Sequence, residues 1–150
     1  MRTMSTHVAQ IVWQRDGAEF DVAYDRTHVW RFDGGVEVPA SSAPHLHGDP
    51  LRVDPEEAFV AAISSCHMLW FLFLAAEAGL VVDAYVDDAV GTMAREARGV
   101  LAITDVELRP VISWAGDEPA AAVIAALHEE SHRRCFIANS VRSRITVAGG

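Results

Sequence analysis

The stretch Asp54-Pro55-Glu56-Glu57-Ala58-Phe59-Val60-Ala61-Ala62-Ile63-Ser64-Ser65-Cys66-His67-Met68 decides how the rest of the chain is read. Asp54 is a good helix N-cap, Pro55 suits the first helical position, and Glu57 completes a capping-box-like pattern. The helix that starts here is expected to run to about Glu77, with Gly79 as its stop. No formally charged residue occurs from Ala58 to Ala76, a length compatible with a membrane span. Ser64, Ser65, Cys66 and His67 at its centre, and the absence of a flanking Lys/Arg cluster, favour a buried core helix instead. It is more apolar than one sheet face needs, so a dimer partner is expected to cover part of it.

Upstream, Val8 to Gln14 alternates in polarity and reads as a half-buried strand. Asp16-Gly17 and Asp33-Gly34-Gly35 read as turns, with one or two strands in Glu19 to Phe32 and a loop from Pro39 to Val53. Downstream, Val81 to Met93 and Val100 to Trp114 look like paired strands joined by the polar stretch Ala94 to Gly99. Pro119 opens a second helix through Arg134, with an apolar stripe of Ala122, Val123, Ala126 and Leu127 and an outer face of Glu129 and Glu130. Val141 to Val147 alternates as a last strand. The order of elements predicts one antiparallel α+β domain over residues 1–150, with no linker and no internal repeat.

The 150 residues carry 51% hydrophobic side chains and a formal net charge of -9. That size supports one core, and the charge repels nucleic acid and anionic lipid. Nothing from Met1 to His7 resembles a signal peptide, so a cytoplasmic setting is expected, where cysteine pairs are usually catalytic or transient.

Two cysteines stand out. Cys66 lies mid-helix on a face with Phe59, Ala62, Ile63, Trp70 and Phe73, where a small buried core residue is the plain alternative to a reactive thiol. Cys135 follows His128-Glu129-Glu130-Ser131-His132-Arg133-Arg134, and the two arginines could stabilise a thiolate or simply form a solvated helix end. His128, His132 and Cys135 also share a face at zinc-compatible spacing, with Cys66 or His67 as a fourth ligand. His67 points about 100° away from Cys66 around the helix and is expected in the core or an interface.

The segment from Asp54 to Met68 resembles the OsmC/Ohr family of organic-hydroperoxide-reducing proteins, whose helix starts with Pro-Glu-Glu and carries a reactive cysteine after small residues. Cys135-Phe136-Ile137-Ala138-Asn139-Ser140 resembles the family's second cysteine segment, although the family often has proline where this chain has Phe136. The order of elements matches from Val8 to Val147. The resemblance implies an OsmC-like fold, an intertwined homodimer, and an organic hydroperoxide substrate. It makes Cys66 the peroxidatic thiol and Cys135 the resolving one, with an external thiol or dithiol as reductant and no metal or organic cofactor. It further implies an assisting glutamate, matched by Glu56, and an assisting arginine, for which Arg26 is the first choice and Arg15 the second. Glu56 precedes Cys66 by ten residues, about 15 Å along a helix. It must therefore act through the arginine, from the partner chain, or across a bent helix, and the partner chain is favoured. The remaining alternatives are the zinc site and a non-catalytic ligand-binding role for the same fold.

Overall fold

A computed structural model describes residues 4–149. It divides into two compact units, residues 1–58 and 59–150. In the first, β1 (Ala9–Val12), β2 (His28–Phe32) and β3 (Glu37–Ala40) form an antiparallel meander, with Ile11 opposite Trp30 and Trp30 opposite Val38. Gly35 takes a φ of +82° in the tight turn before β3, a conformation that favours glycine.

The expected strand content of Glu19 to Thr27 is absent, and only His28–Phe32 pairs. Local polar bonds defeat the strand-forming composition there. Asp21 accepts the N–H of Ala23 at 2.8 Å and Asp25 that of Thr27 at 2.9 Å, each closing a turn on itself. The aromatic residues of the segment pack on Trp13 instead, with Phe20 and Tyr24 centroids both 5.7 Å away. β3 itself falls between the turn and loop assigned from sequence. It ends near Pro39, which an edge strand accommodates because one side of it needs no ladder donor.

The helix α1 (Pro55–Glu77) forms as expected, and both ends show why. Asp54 accepts the N–H of Glu57 at 2.8 Å, and Glu57 accepts that of Asp54 at 3.1 Å, a reciprocal capping box. At the other end Gly79 has φ +72°, Leu80 N–H reaches the Ala75 carbonyl at 2.9 Å, and Gly79 N–H reaches that of Ala76 at 3.0 Å. Those two bonds are a Schellman motif.

In the second unit the two long strand regions each break in two. β4 (Val82–Asp87) pairs antiparallel with β7 (Pro110–Trp114), while β5 (Val90–Arg95) and β6 (Leu101–Leu108) form the expected hairpin. Both breaks meet at Asp87, whose carboxylate accepts the backbone N–H of Arg109 at 2.6 Å and the hydroxyl of Ser64. The last strand, β8 (Arg144–Val147), is shorter than expected and runs parallel to β6, so the sheets are not wholly antiparallel.

Two apolar clusters form the core of this unit, and α1 contributes to both. Ile63 packs with Val106 and Leu108 of β6, joined by Ile145 and Val147. About two turns further along, Phe71, Leu74 and Ala75 pack with Leu127 and with Val82, Ile112 and Trp114. Gly91 lets β5 approach α1, since a Cβ there would meet the Val60 side chain at 2.5 Å. The helix α2 (Ala121–Arg134) buries a different stripe from the one expected. Leu127 and Ser131 are buried and Ile124 and His128 partly so, while Ala122, Val123 and Ala126 face outward. Two polar residues on the inner face hide the true stripe from a hydropathy reading.

Candidate functional site

The inward stripe of α1 is Ile63, His67, Phe71 and Leu74, a run at four-, four- and three-residue steps. Cys66 is one position back from His67, hence rotated by about 100° onto the flank of the helix, and it is half-buried. On that flank a pocket of about 280 Å³ is lined by Cys66, Leu69, Trp70, Phe73 and Phe136. Trp70 is the central wall. Phe73 and Phe136 meet it edge-on at centroid distances of 5.8 and 5.6 Å, and the guanidinium of Arg134 lies 5.6 Å over its ring. Apart from the thiol, every lining side chain is apolar or aromatic.

Cys135 caps the C-terminus of α2, its N–H bonded to the Ser131 carbonyl at 2.9 Å, and is only 1% exposed. Its Sγ accepts the N–H of Ala138 at 3.3 Å, and the Cys66 thiol lies close enough to influence its titration. Burial first, and the neighbouring Cys66 thiol second, push the Cys135 thiol up to about 11, against a smaller opposing effect of the Ala138 N–H. Cys135 is therefore held protonated at neutral pH. The arginines beside it in sequence do not serve it, because Arg133 and Arg134 both pair with Glu130. Of the two sequence readings, a solvated helix end is the correct one for these cations.

His67 is 1% exposed, in the core as expected. Its Nε2 lies 3.0 Å from Nδ1 of His128, with the rings stacked at 15° and Phe71 against the far imidazole at 4.5 Å. Burial holds both imidazoles below their usual range, His67 at about 4. Sequence reasoning placed His128 in a possible zinc set instead. Its place between Leu127 and Ser131 on the buried stripe was the signal that it faces inward. Among the described residues no three His, Cys, Asp or Glu are arranged to hold a metal ion, and His128 Nδ1 is taken up by His67.

The remaining candidates lie in the first unit. Arg26 donates to the carbonyls of Val22, at 2.6 Å, and Tyr24, and sits 4.1 Å over the Tyr24 ring. Arg15 donates to Ala18 O at 3.0 Å. Glu56 lies in the first turn of α1, with one carboxylate oxygen buried and without a hydrogen-bond partner. Because α1 continues without interruption from Pro55 to Glu77, Glu56 and Cys66 stand nearly three turns apart on one helix.

The model of the OsmC-like protein family matches residues 47–148. Among solved structures, an OsmC-like protein of unknown function from Vibrio cholerae O1 biovar eltor is 42% identical, with a TM-score of 0.93 over 96% of this chain and 98% of that one. An organic hydroperoxide resistance protein from Elizabethkingia anophelis is 20% identical, with a TM-score of 0.73 and full coverage of both chains. An OsmC-like protein from Mycoplasma pneumoniae is 12% identical, with a TM-score of 0.75 over 97% and 96%. The last two likenesses speak for the fold alone. A search of curated proteins found no match. The chain belongs to the OsmC-like protein family and has its mixed α+β fold.

Proposed function

We propose that the protein is a thiol-dependent peroxidase that reduces organic hydroperoxides through Cys66 and Cys135. The observation that carries this reading is that the two thiols are neighbours at the edge of an apolar pocket. The Cys66 thiolate attacks the terminal peroxide oxygen, the O–O bond breaks, and the alkoxide leaves and takes a proton to become an alcohol. Cys66 is then a sulfenic acid, two electrons having passed from sulfur to the peroxide. The Cys135 sulfur attacks that sulfenic sulfur, water leaves, and a Cys66–Cys135 disulfide forms. An external dithiol returns both cysteines to thiols by exchange.

The division of labour follows from the two environments. Cys66 borders the pocket and meets substrate, while Cys135 is buried and stays protonated until it is needed. Leu69, Trp70, Phe73 and Phe136 suit an apolar peroxide tail better than hydrogen peroxide. The family resemblance adds Arg26 as the cation that favours the Cys66 thiolate and Glu56 as the group that orients it. It also adds a homodimer, which the exposed faces of Phe73, Phe136 and Leu51 support. A reducing compartment such as the cytoplasm would keep the cycle supplied with thiol.

The test is consumption of cumene hydroperoxide with a dithiol reductant, against hydrogen peroxide as control. Wild type is expected to prefer the organic peroxide, and Cys66→Ser to lose turnover by more than a thousandfold. An inactive wild type would sink the enzyme claim and leave a non-catalytic role for the fold.

A further inference from the structure

The peroxide cycle does not use the two imidazoles buried beside it. His67 directly follows Cys66 on α1, and His128 precedes Cys135 by seven residues on α2, two turns back on the same helical face. Their 3.0 Å bond therefore joins the two cysteine-bearing helices one residue from one sulfur and about 10 Å of helix axis from the other. Within the buried part of this helix pair the other contacts are apolar, among Phe71, Leu74 and Leu127, and apolar contact sets no direction, while the Arg134 guanidinium over Trp70 lies at the exposed rim. A disulfide tolerates little error, since its Cα atoms must lie within about 4.4–6.8 Å.

We infer that the His67–His128 hydrogen bond is a positioning pair that fixes the register of α2 on α1, so that Cys135 can close onto Cys66. The inference rests on the reading of the two cysteines as a reacting pair. A leucine pair at these positions would fill similar space without desolvating two polar rings, so the buried bond is a device for register rather than for stability. One neutral imidazole donates and the other accepts, which works while at most one proton is shared. The exposed His132 on α2 and Asp87 on β4 act on the pair through their charge, and Tyr85 on β4 packs on Phe71. His132 opposes a second proton on the pair and Asp87 favours one on His128. Double protonation makes both rings donors and ends the bond.

Closure can be read without peroxide. The reduced protein is mixed with an equimolar aryl disulfide, dithiobis(nitrobenzoate). Cys66 thiolate attacks it, forming a mixed disulfide and releasing one nitrothiobenzoate. Cys135 then displaces the second and completes the internal disulfide, so the two releases time the two steps separately. In His128→Leu the first release is expected to stay within about twofold of wild type, while the second slows at least about tenfold. His128→Asn, which keeps a donor and an acceptor near the Nδ1 position, is expected to close within about threefold of wild type. It also guards against a leucine variant that fails to fold. Wild-type closure is expected to fall more steeply than about one decade per pH unit only as the pH drops to about 4 and below, where His67 takes up its proton, whereas thiolate loss alone accounts for one decade.

A His128→Leu variant that closes at the wild-type rate overturns the inference, as does an Asn variant as slow as the leucine one. A wild type that releases only one equivalent overturns it as well. Slow closure in His128→Leu together with no peroxide consumption by wild type would keep the positioning pair and reject the peroxidase.

Discussion

The flank and the inner stripe of α1 are built from neighbouring residues and have opposite characters. His67 is sealed in the core against His128 and Phe71, whereas Cys66, one residue earlier, borders an open apolar pocket. A rotation of about 100° separates a group held neutral from a thiol at the edge of an open pocket. Cys135 belongs with His67 in this contrast. It is buried and protonated, and it is not among the residues that line the pocket. A single helical step decides which side chains border the pocket and which are sealed in the core.

The contrast can be broken most severely at Cys135. In Cys135→Ser, peroxide consumption is expected to stop after one equivalent, with the sulfenic acid on Cys66 trapped by dimedone and seen as a mass shift. Full multiple turnover by that variant would show that Cys135 does not resolve the intermediate. A smaller effect tests the thiol environments directly. At pH 8 Cys135 is expected to react with iodoacetamide about a hundredfold more slowly than an ordinary free thiol, because burial holds it near 11. Comparable labelling of both cysteines in a peptide-mapping experiment would erase the distinction between them.

Phe136→Ala sharpens the pocket side of the comparison. Phe136 is 69% exposed and leans on Trp70, so its removal costs little in folding but opens the wall beside Cys66. KM for cumene hydroperoxide is expected to rise about tenfold, roughly 1.4 kcal/mol of apolar contact, with hydrogen peroxide unaffected. The mildest test is acid. His67 is lowered from 6.5 to about 4 and His128 is lowered too, so the unfolded chain binds more protons than the folded one between those values. Stability is therefore full above about pH 6.5 and falls as the pH drops towards 4. A melting temperature flat across that window would contradict the neutral, sealed pair.

Much of this was legible in the sequence because the signals were local. The capping box at Asp54 and Glu57 and the stop at Gly79 fixed α1 at both ends, and the order of elements fixed the fold class. The segment from Glu19 to Thr27 misled because strand-forming residues lost to aspartates that bond their own backbone. The face of α2 misled because its inner residues include a serine and a histidine, which hydropathy places outside. The parallel pairing of β8 with β6 is a long-range choice with no local mark. At the site, both cysteines were legible from their surroundings and from the family resemblance, but the His67–His128 bond links residues 61 positions apart and leaves no spacing to read.

The position of α1 between two apolar clusters has a consequence for how the protein opens. Ile63 anchors one cluster, and Phe71, Leu74 and Ala75 anchor the other, so neither can loosen while the rod between them stays whole. The backbone amides from Ile63 to Ala75 should accordingly exchange with solvent as one late group, through global unfolding rather than local fraying. Cys66 lies inside that slow group, which places the pocket-lining sulfur on the part of the chain that breathes least.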